Sequence, residues 1–199
     1  PEYKTTITAG DGHIYSLGCI QNANSAQMTF YYNQRWLDEA GLAVPTTLDE
    51  FTAAMAAFKA RESLPENEGK VVVPLTGDLG NQPRFIANAF GWITDNASYL
   101  THIALKDGVP MFIYADEERF PEFMKVMKDY IEKGYFSADV FDDQYAGNQT
   151  AAQKAEDLTG FDQNTSNAID PKEWVAAIPL TSAYNEKPQV SRSYNAINC

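Results

Sequence analysis

Strand-like and helix-like segments alternate along these 199 residues, and that alternation predicts an α/β fold, a mixed sheet flanked by helices. Two further observations support it. Hydrophobic residues make up 44% of the chain and aromatic ones 13%, enough for a packed core in one sizeable domain or two small ones. Turn signals built on Gly, Pro and Asp-Gly fall between the periodic segments.

The elements follow in order. After the Asp11-Gly12 turn, residues 14–20 read as a strand, with Tyr15 and Leu17 on one face, and a second strand follows at 28–32. Between them lies the amide-rich loop Gln21-Asn22-Ala23-Asn24-Ser25, whose side chains both donate and accept hydrogen bonds. A short helix through Trp36 and Leu37 closes at Gly41. Thr47 with Glu50 three residues on forms a capping box, and Leu48, Phe51, Met55 and Phe58 give the helix it opens one apolar face.

The β-branched run at 71–75 predicts a short buried strand. Pro83 suits the first turn of a helix because it lacks the N–H that would be unpaired there, and Phe85, Ile86, Phe90 and Ile93 mark that segment's inner side. Asp107-Gly108 predicts a two-residue hairpin turn between strands at 102–106 and 109–114. The amphipathic helix that follows carries Phe120, Phe123, Met124, Met127 and Ile131 inward and ends at Gly134. Residues 137–143 form an acidic loop, 150–158 read as helical, and 174–180 as another buried strand. The regions from Pro65 and at 163–167 read as surface loops.

Charge and motifs exclude several function classes. Fifteen basic against 27 acidic residues give a net charge of -12 with no basic stripe, so nucleic acid and anionic membrane surfaces are not expected partners. The two histidines, His13 and His102, lack metal spacing and read as structural or solvent-facing. There is no nucleophile elbow and no phosphate loop. Asp139, Asp142 and Asp143 lack the calcium-loop pattern and its closing Glu, so no metal and no cofactor is expected. The Asn-x-Ser/Thr triplets at Asn96, Asn148 and Asn164 are taken as chance. Both ends of the chain read as interior points of a longer protein, with any export signal or lipid anchor upstream.

The order of segments carries a resemblance. The runs from Asp11 to Leu17, from Phe30 to Leu37, and from Gly41 to Phe51 resemble the "DGKIYSLP … YYNK-WLDELGL-VPTTLDEF" pattern of family 1 extracellular solute-binding proteins. The later pieces Pro74-Leu75-Thr76-Gly77, Phe90-Gly91-Trp92 and Asp107-Gly108-Val109 are similar too, as is the stretch from Tyr130 to Asp139. The resemblance implies one lobe of the two-lobe, type II periplasmic-binding-protein-like fold. That lobe would span 1–199 with hinge strands near 14–32 and 190–199, the first lobe being absent from this chain.

It further implies a non-enzymatic receptor that captures a carbohydrate for an ABC importer and docks on the permease subunits. Such a receptor works outside the cytoplasm, as a lipid-anchored or periplasmic protein. By position, the ligand contacts it implies are Gln21, Asn22, Asn24, Gln82, Arg84, Phe85, Trp92 and Phe161, for each of which a structural role is the competing reading. Phe161 stands where the family tends to have a stacking Trp. Cys19 and Cys199 fall near the two crossings between lobes, which permits a disulfide in an oxidising setting. A carbohydrate-active enzyme with unsignalled carboxylates, and a sensor or adhesion module, are the alternatives left open by the residues alone.

Overall fold

The computed structural model describes residues 4, 7–15, 28–75, 82–94, 103–106, 109–136, 155–165 and 170–187. Strand β1 (Met28–Asn33) is the middle of a three-stranded antiparallel sheet, between β5 (Phe161–Thr165) and β6 (Trp174–Ala176). Tyr32 lies opposite Phe161 on one side and Val175 on the other. The aromatic run in β1 suits this central place, because flat rings pack well against cross-strand neighbours.

Asn33 ends β1 and caps the next helix, α1 (Gln34–Ala40), its side-chain oxygen accepting from the Trp36 backbone N–H at 3.2 Å. Gly41 closes α1 at φ 67°, with Leu42 N–H bonded to the Leu37 carbonyl and Gly41 N–H to that of Asp38. This paired pattern satisfies carbonyls that the helix end would otherwise leave open.

Helix α2 (Leu48–Ala60) begins with the expected capping box: Glu50 N–H donates to Thr47 Oγ1, and Thr47 N–H to Glu50 Oε2, each at 3.2 Å. Phe51, Ala54, Met55 and Phe58 are buried along its inner face. Two short 3₁₀ turns follow, Arg61–Ser63 and Pro65–Asn67, the second in the region from Pro65 where a surface loop is expected from the sequence. Asn67 is buried there, donating to the Arg61 carbonyl at 2.9 Å.

The expected strand at 71–75 is reduced to a single bridging residue. Leu75 pairs in parallel with both Phe136 and Phe161, Val73 N–H reaches the Leu158 carbonyl, and Val71 is exposed. Pro74 has no N–H to extend a ladder. These bridges, with Thr47↔Thr181, are the parallel part of an otherwise antiparallel arrangement.

Helix α3 (Gln82–Asn88), with Pro83 in its first turn, leads through Gly91 to a second antiparallel sheet, β2 (Ile93–Thr94), β3 (Ile103–Lys106) and β4 (Val109–Phe112). Lys106 pairs with Val109, while Asp107 and Gly108 of the expected turn lie outside the described residues. Helix α4 (Arg119–Glu132) then buries Phe123, Met127 and Tyr130. It ends at Gly134, φ 67°, with Tyr135 N–H bonded to the Tyr130 carbonyl and the two rings 5.4 Å apart.

Three expectations need correction. Met124 does not face inward: the buried stripe runs through 123, 127 and 130, which leaves Met124 on the flank and 47% exposed. Residues 163–165 belong to β5, because pairing with β1 overrides the low strand propensity of Gln and Asn. Of the segment at 174–180 only Trp174–Ala176 is strand, and it is not buried. Among the described residues it pairs with β1 alone, and Ile178 remains exposed while Leu180 is buried.

The segments at 16–25, 137–143, 150–154 and 188–199 lie outside the described residues, as do His102, Asn96, Asn148 and both cysteines. Of the expected helix at 150–158, the described part is helical at Ala155 and ends in a turn at Asp157, whose φ is 58°. Among the described residues no helix is long and apolar enough to cross a membrane.

Candidate functional site

The first turn of α3 and the start of β5 meet in the aromatic centre of the molecule. Phe161 lies between Tyr32, Phe85, Phe51 and Phe30, at ring distances of 4.8, 5.0, 5.1 and 5.6 Å. Phe85 in turn meets Phe30 at 5.0 Å and Phe51 at 5.4 Å. The structure thus brings two of the sequence-derived ligand contacts together, but inside the core: Phe161 is 0% and Phe85 7% exposed.

Backbone at Gly160 makes this approach possible. A Cβ there would stand 2.3 Å from the Phe58 ring and 2.7 Å from that of Trp36, so only glycine lets β5 enter this close. Just before it, Asp157 adopts its left-handed conformation while its carboxylate accepts from Arg35, from Asn33 Nδ2 at 3.3 Å and from Trp36 Nε1 at 3.4 Å. Asp is among the few residues besides glycine that visit this conformation, and here contacts from the end of β1 and from α1 hold its side chain.

Trp92 belongs to a second cluster, 1% exposed, stacked on Phe90 at 5.7 Å and edge-on to Phe123 at 5.6 Å. Its indole N–H donates to Asp116 Oδ2 at 3.1 Å. The same oxygen accepts from Lys106 Nζ at 3.0 Å, while Asp116 Oδ1 accepts the Arg119 backbone N–H at 3.2 Å. One buried carboxylate therefore ties the segment after α3, the hairpin and the start of α4 to one another. Burial works to raise its pKa, but the Lys106, Trp92 and Arg119 hydrogen bonds outweigh that and hold it below the usual Asp value.

Sequence reasoning did not single out Asp116. The available signal was an Asp three residues ahead of an amphipathic helix start, but it gives no hint of the Lys and Trp that converge on it.

The polar candidates fall differently. Gln82 and Arg84 stand in the first turn of α3, adjacent to buried Phe85 and Ile86. Gln21, Asn22, Asn24, Cys19 and Cys199 lie outside the described residues. His13 is solvent-facing at its turn, 3.7 Å from Asp11, as the sequence reading has it. The Tyr32 and Tyr130 hydroxyls are pushed well above the ordinary tyrosine range, by burial first, which keeps both neutral. Chemically, the arrangement is a rigid aromatic wall that presents a short helix start, with its buried acid already paired.

The chain matches the family described as "Bacterial extracellular solute-binding protein" over residues 2–192. It is 27% identical to the fructooligosaccharide ABC transporter substrate-binding protein FusA of Streptococcus pneumoniae, across 97% of this chain and 37% of that protein. The structure of S. pneumoniae FusA in complex with kestose aligns at 26% identity with a TM-score of 0.70, covering 97% of this chain and 40% of that one. An extracellular solute-binding protein from Bifidobacterium longum subsp. infantis shares the fold with a TM-score of 0.74 at 21% identity, over 92% of this chain and 39% of that one. The chain thus spans about two fifths of the length of the relatives it matches. Its α/β architecture is that of a lobe of the type II periplasmic-binding-protein fold, and the chain belongs to the family of bacterial extracellular solute-binding proteins.

Proposed function

We propose that the protein containing this chain captures an oligosaccharide outside the cytoplasm and delivers it to an ABC importer, without turning it over. The observation that carries this reading is the match to FusA along 97% of the chain, together with the likeness to FusA structures in complex with kestose and with fructo-nystose. Permease subunits are the partners of that delivery. A lipid anchor or a periplasmic setting would keep the receptor at the membrane.

In this reading the chain is one jaw of a clamp, with the other lobe on the same polypeptide, and it supplies half of the sugar site. The polar contacts are Gln21, Asn22, Asn24, Gln82 and Arg84. Amide and guanidinium groups suit sugar hydroxyls, because an unmatched hydroxyl leaves a desolvated donor unpaired. Phe85, Trp92 and Phe161 act through the backbone they support. Cys19 and Cys199, if bridged, would close the lobe.

A thermal-shift series on the intact protein with kestose, nystose, maltotriose and chitotriose tests this. Ligand at about 100 times Kd stabilises the native state by about 2.7 kcal/mol, a shift of a few degrees, for the recognised sugar class. Chromatography of the same mixtures is expected to return the sugars intact. No shift with any oligosaccharide, or release of shorter products, would overturn the reading. Residues 1–199 alone are expected to bind at least ~100-fold more weakly than the intact protein, since half the contacts are missing.

A further inference from the structure

An exposed apolar strip runs from the second sheet onto α4. Ile113 turns inward at 4% exposure, whereas Phe112 and Tyr114 on either side of it are 57% and 53% exposed. Pro110, two residues before Phe112 and so on the same side of β4, is also exposed. The Tyr114 ring packs edge-on against Phe120 at 5.1 Å. One helical turn further along lies Met124, 47% exposed, which continues the strip along the helix.

The geometry says how a partner would meet this strip. Among the described residues β4 is an edge strand, pairing with β3 alone. Pro110 pairs with Leu105 of β3, and a proline in a ladder takes the non-hydrogen-bonded place, where a residue's N–H would point away from the partner strand. Proline has none to offer, which blunts the edge against an added strand. Contact is left to the side chains.

Charge says what kind of partner. The lysines of α4 and its C-terminal cap are occupied: Lys125 with Glu122 at 2.6 Å, Lys128 with Glu132 at 2.9 Å and Lys133 with Asp129 at 2.7 Å, while Arg119 donates to the Phe90 carbonyl and lies over the Tyr184 ring. Lys106 is held by Asp116. Glu117 and Glu118, between Tyr114 and α4, are exposed and carry no ion pair among the described residues. The border of the strip is therefore acidic. A second copy of the chain would bring a net charge of -12 against this acidic border. A short segment fits it better than a second copy of the chain.

We propose that this strip is a docking surface for another protein, which engages it through a short apolar segment bordered by lysine or arginine. The aromatic pair supplies the anchors and the two glutamates the steering.

The test uses the intact solute-binding protein and, as probe, a short helical peptide of leucine and lysine, with the same peptide carrying glutamate for lysine as control. Hydrogen exchange is expected to show peptide-dependent protection across 109–124. Fluorescence anisotropy is expected to give at least ~10-fold weaker binding for the Phe112→Ser, Tyr114→Ser double variant, a loss of hot-spot size. Glu117→Gln with Glu118→Gln should weaken binding several-fold and flatten its salt dependence.

Equal binding by either pair of variants, protection elsewhere, or equal affinity for the glutamate peptide would overturn the proposal. So would protection of 109–114 in the intact protein without peptide, which would mean that its own chain covers the strip. Self-association that the serine variant abolishes would assign the strip to a second copy instead. The wild-type exchange map stands even if a variant folds poorly.

Discussion

Replacing Phe161 with Ala is expected to destabilise the protein by about 4 kcal/mol, the middle of the range for removing a buried aromatic ring. The ring is wholly buried and shares contacts with Phe30, Tyr32, Phe51 and Phe85, so its removal opens a void that stiff aromatic neighbours cannot refill. Gly160 adds to the cost: it holds β5 against Phe58 and Trp36, and the backbone cannot collapse inward. Urea denaturation checks the stability change. Sugar titration of the folded variant separates packing from recognition. A ring that acts through packing leaves unfolding strongly shifted and affinity, at a temperature where the variant is folded, within a few-fold. A stable variant that no longer binds sugar would instead put Phe161 in direct contact with ligand.

Asp116→Ala is expected to cost about 3 kcal/mol, the low end for breaking a buried ion pair, since Lys106 still reaches water. The loss comes from what is left behind: the Trp92 indole N–H, buried at 1% exposure, and the Arg119 backbone N–H at the start of α4 both lose their acceptor. The hairpin is then free to part from the helix. The same carboxylate predicts an acid limb. Its folded pKa lies below the unfolded value of about 3.8, so its stabilisation is fully present above that value and is lost as pH falls through the folded one. Denaturant midpoints measured between pH 7 and pH 2 should therefore drop for the native protein below about pH 4. Asp116→Asn, already weakened at neutral pH, should show a flatter acid limb. An unchanged limb in that variant would assign acid sensitivity to other carboxylates.

Local elements were legible where one or two residues dictate backbone chemistry. The Thr47 and Glu50 box, the left-handed Gly41 and Gly134 and the apolar stripe of α2 each follow from short-range sterics and hydrogen bonding, and each stands where expected. Strand content was harder to read. The Gln-Asn segment of β5 has poor intrinsic propensity and becomes a strand only because β1 supplies the ladder. The Val-rich run before Thr76 has good propensity and stays nearly unpaired, because Pro74 and its neighbours limit it to one bridging residue, Leu75.

The candidate site divides along the same line. Position in the chain identified Phe85, Trp92 and Phe161 as a group, and two of them do meet. Whether a ring faces solvent or core is a matter of what packs on it, and here Tyr32, Phe51, Phe58 and Phe123 enclose them.

By itself, then, the sequence determined the α/β class, the helix ends and the family pattern, because these depend on the order of residues and on contacts a few positions apart. The tertiary structure alone decided that the three aromatic rings are core, that Asp116 gathers Lys106, Trp92 and Arg119 from separate elements, and that Phe112, Tyr114 and Met124 stay outside. Burial and charge pairing depend on residues far apart in the chain meeting in space. Periodicity records that a residue is apolar; only packing determines which apolar residues water still reaches.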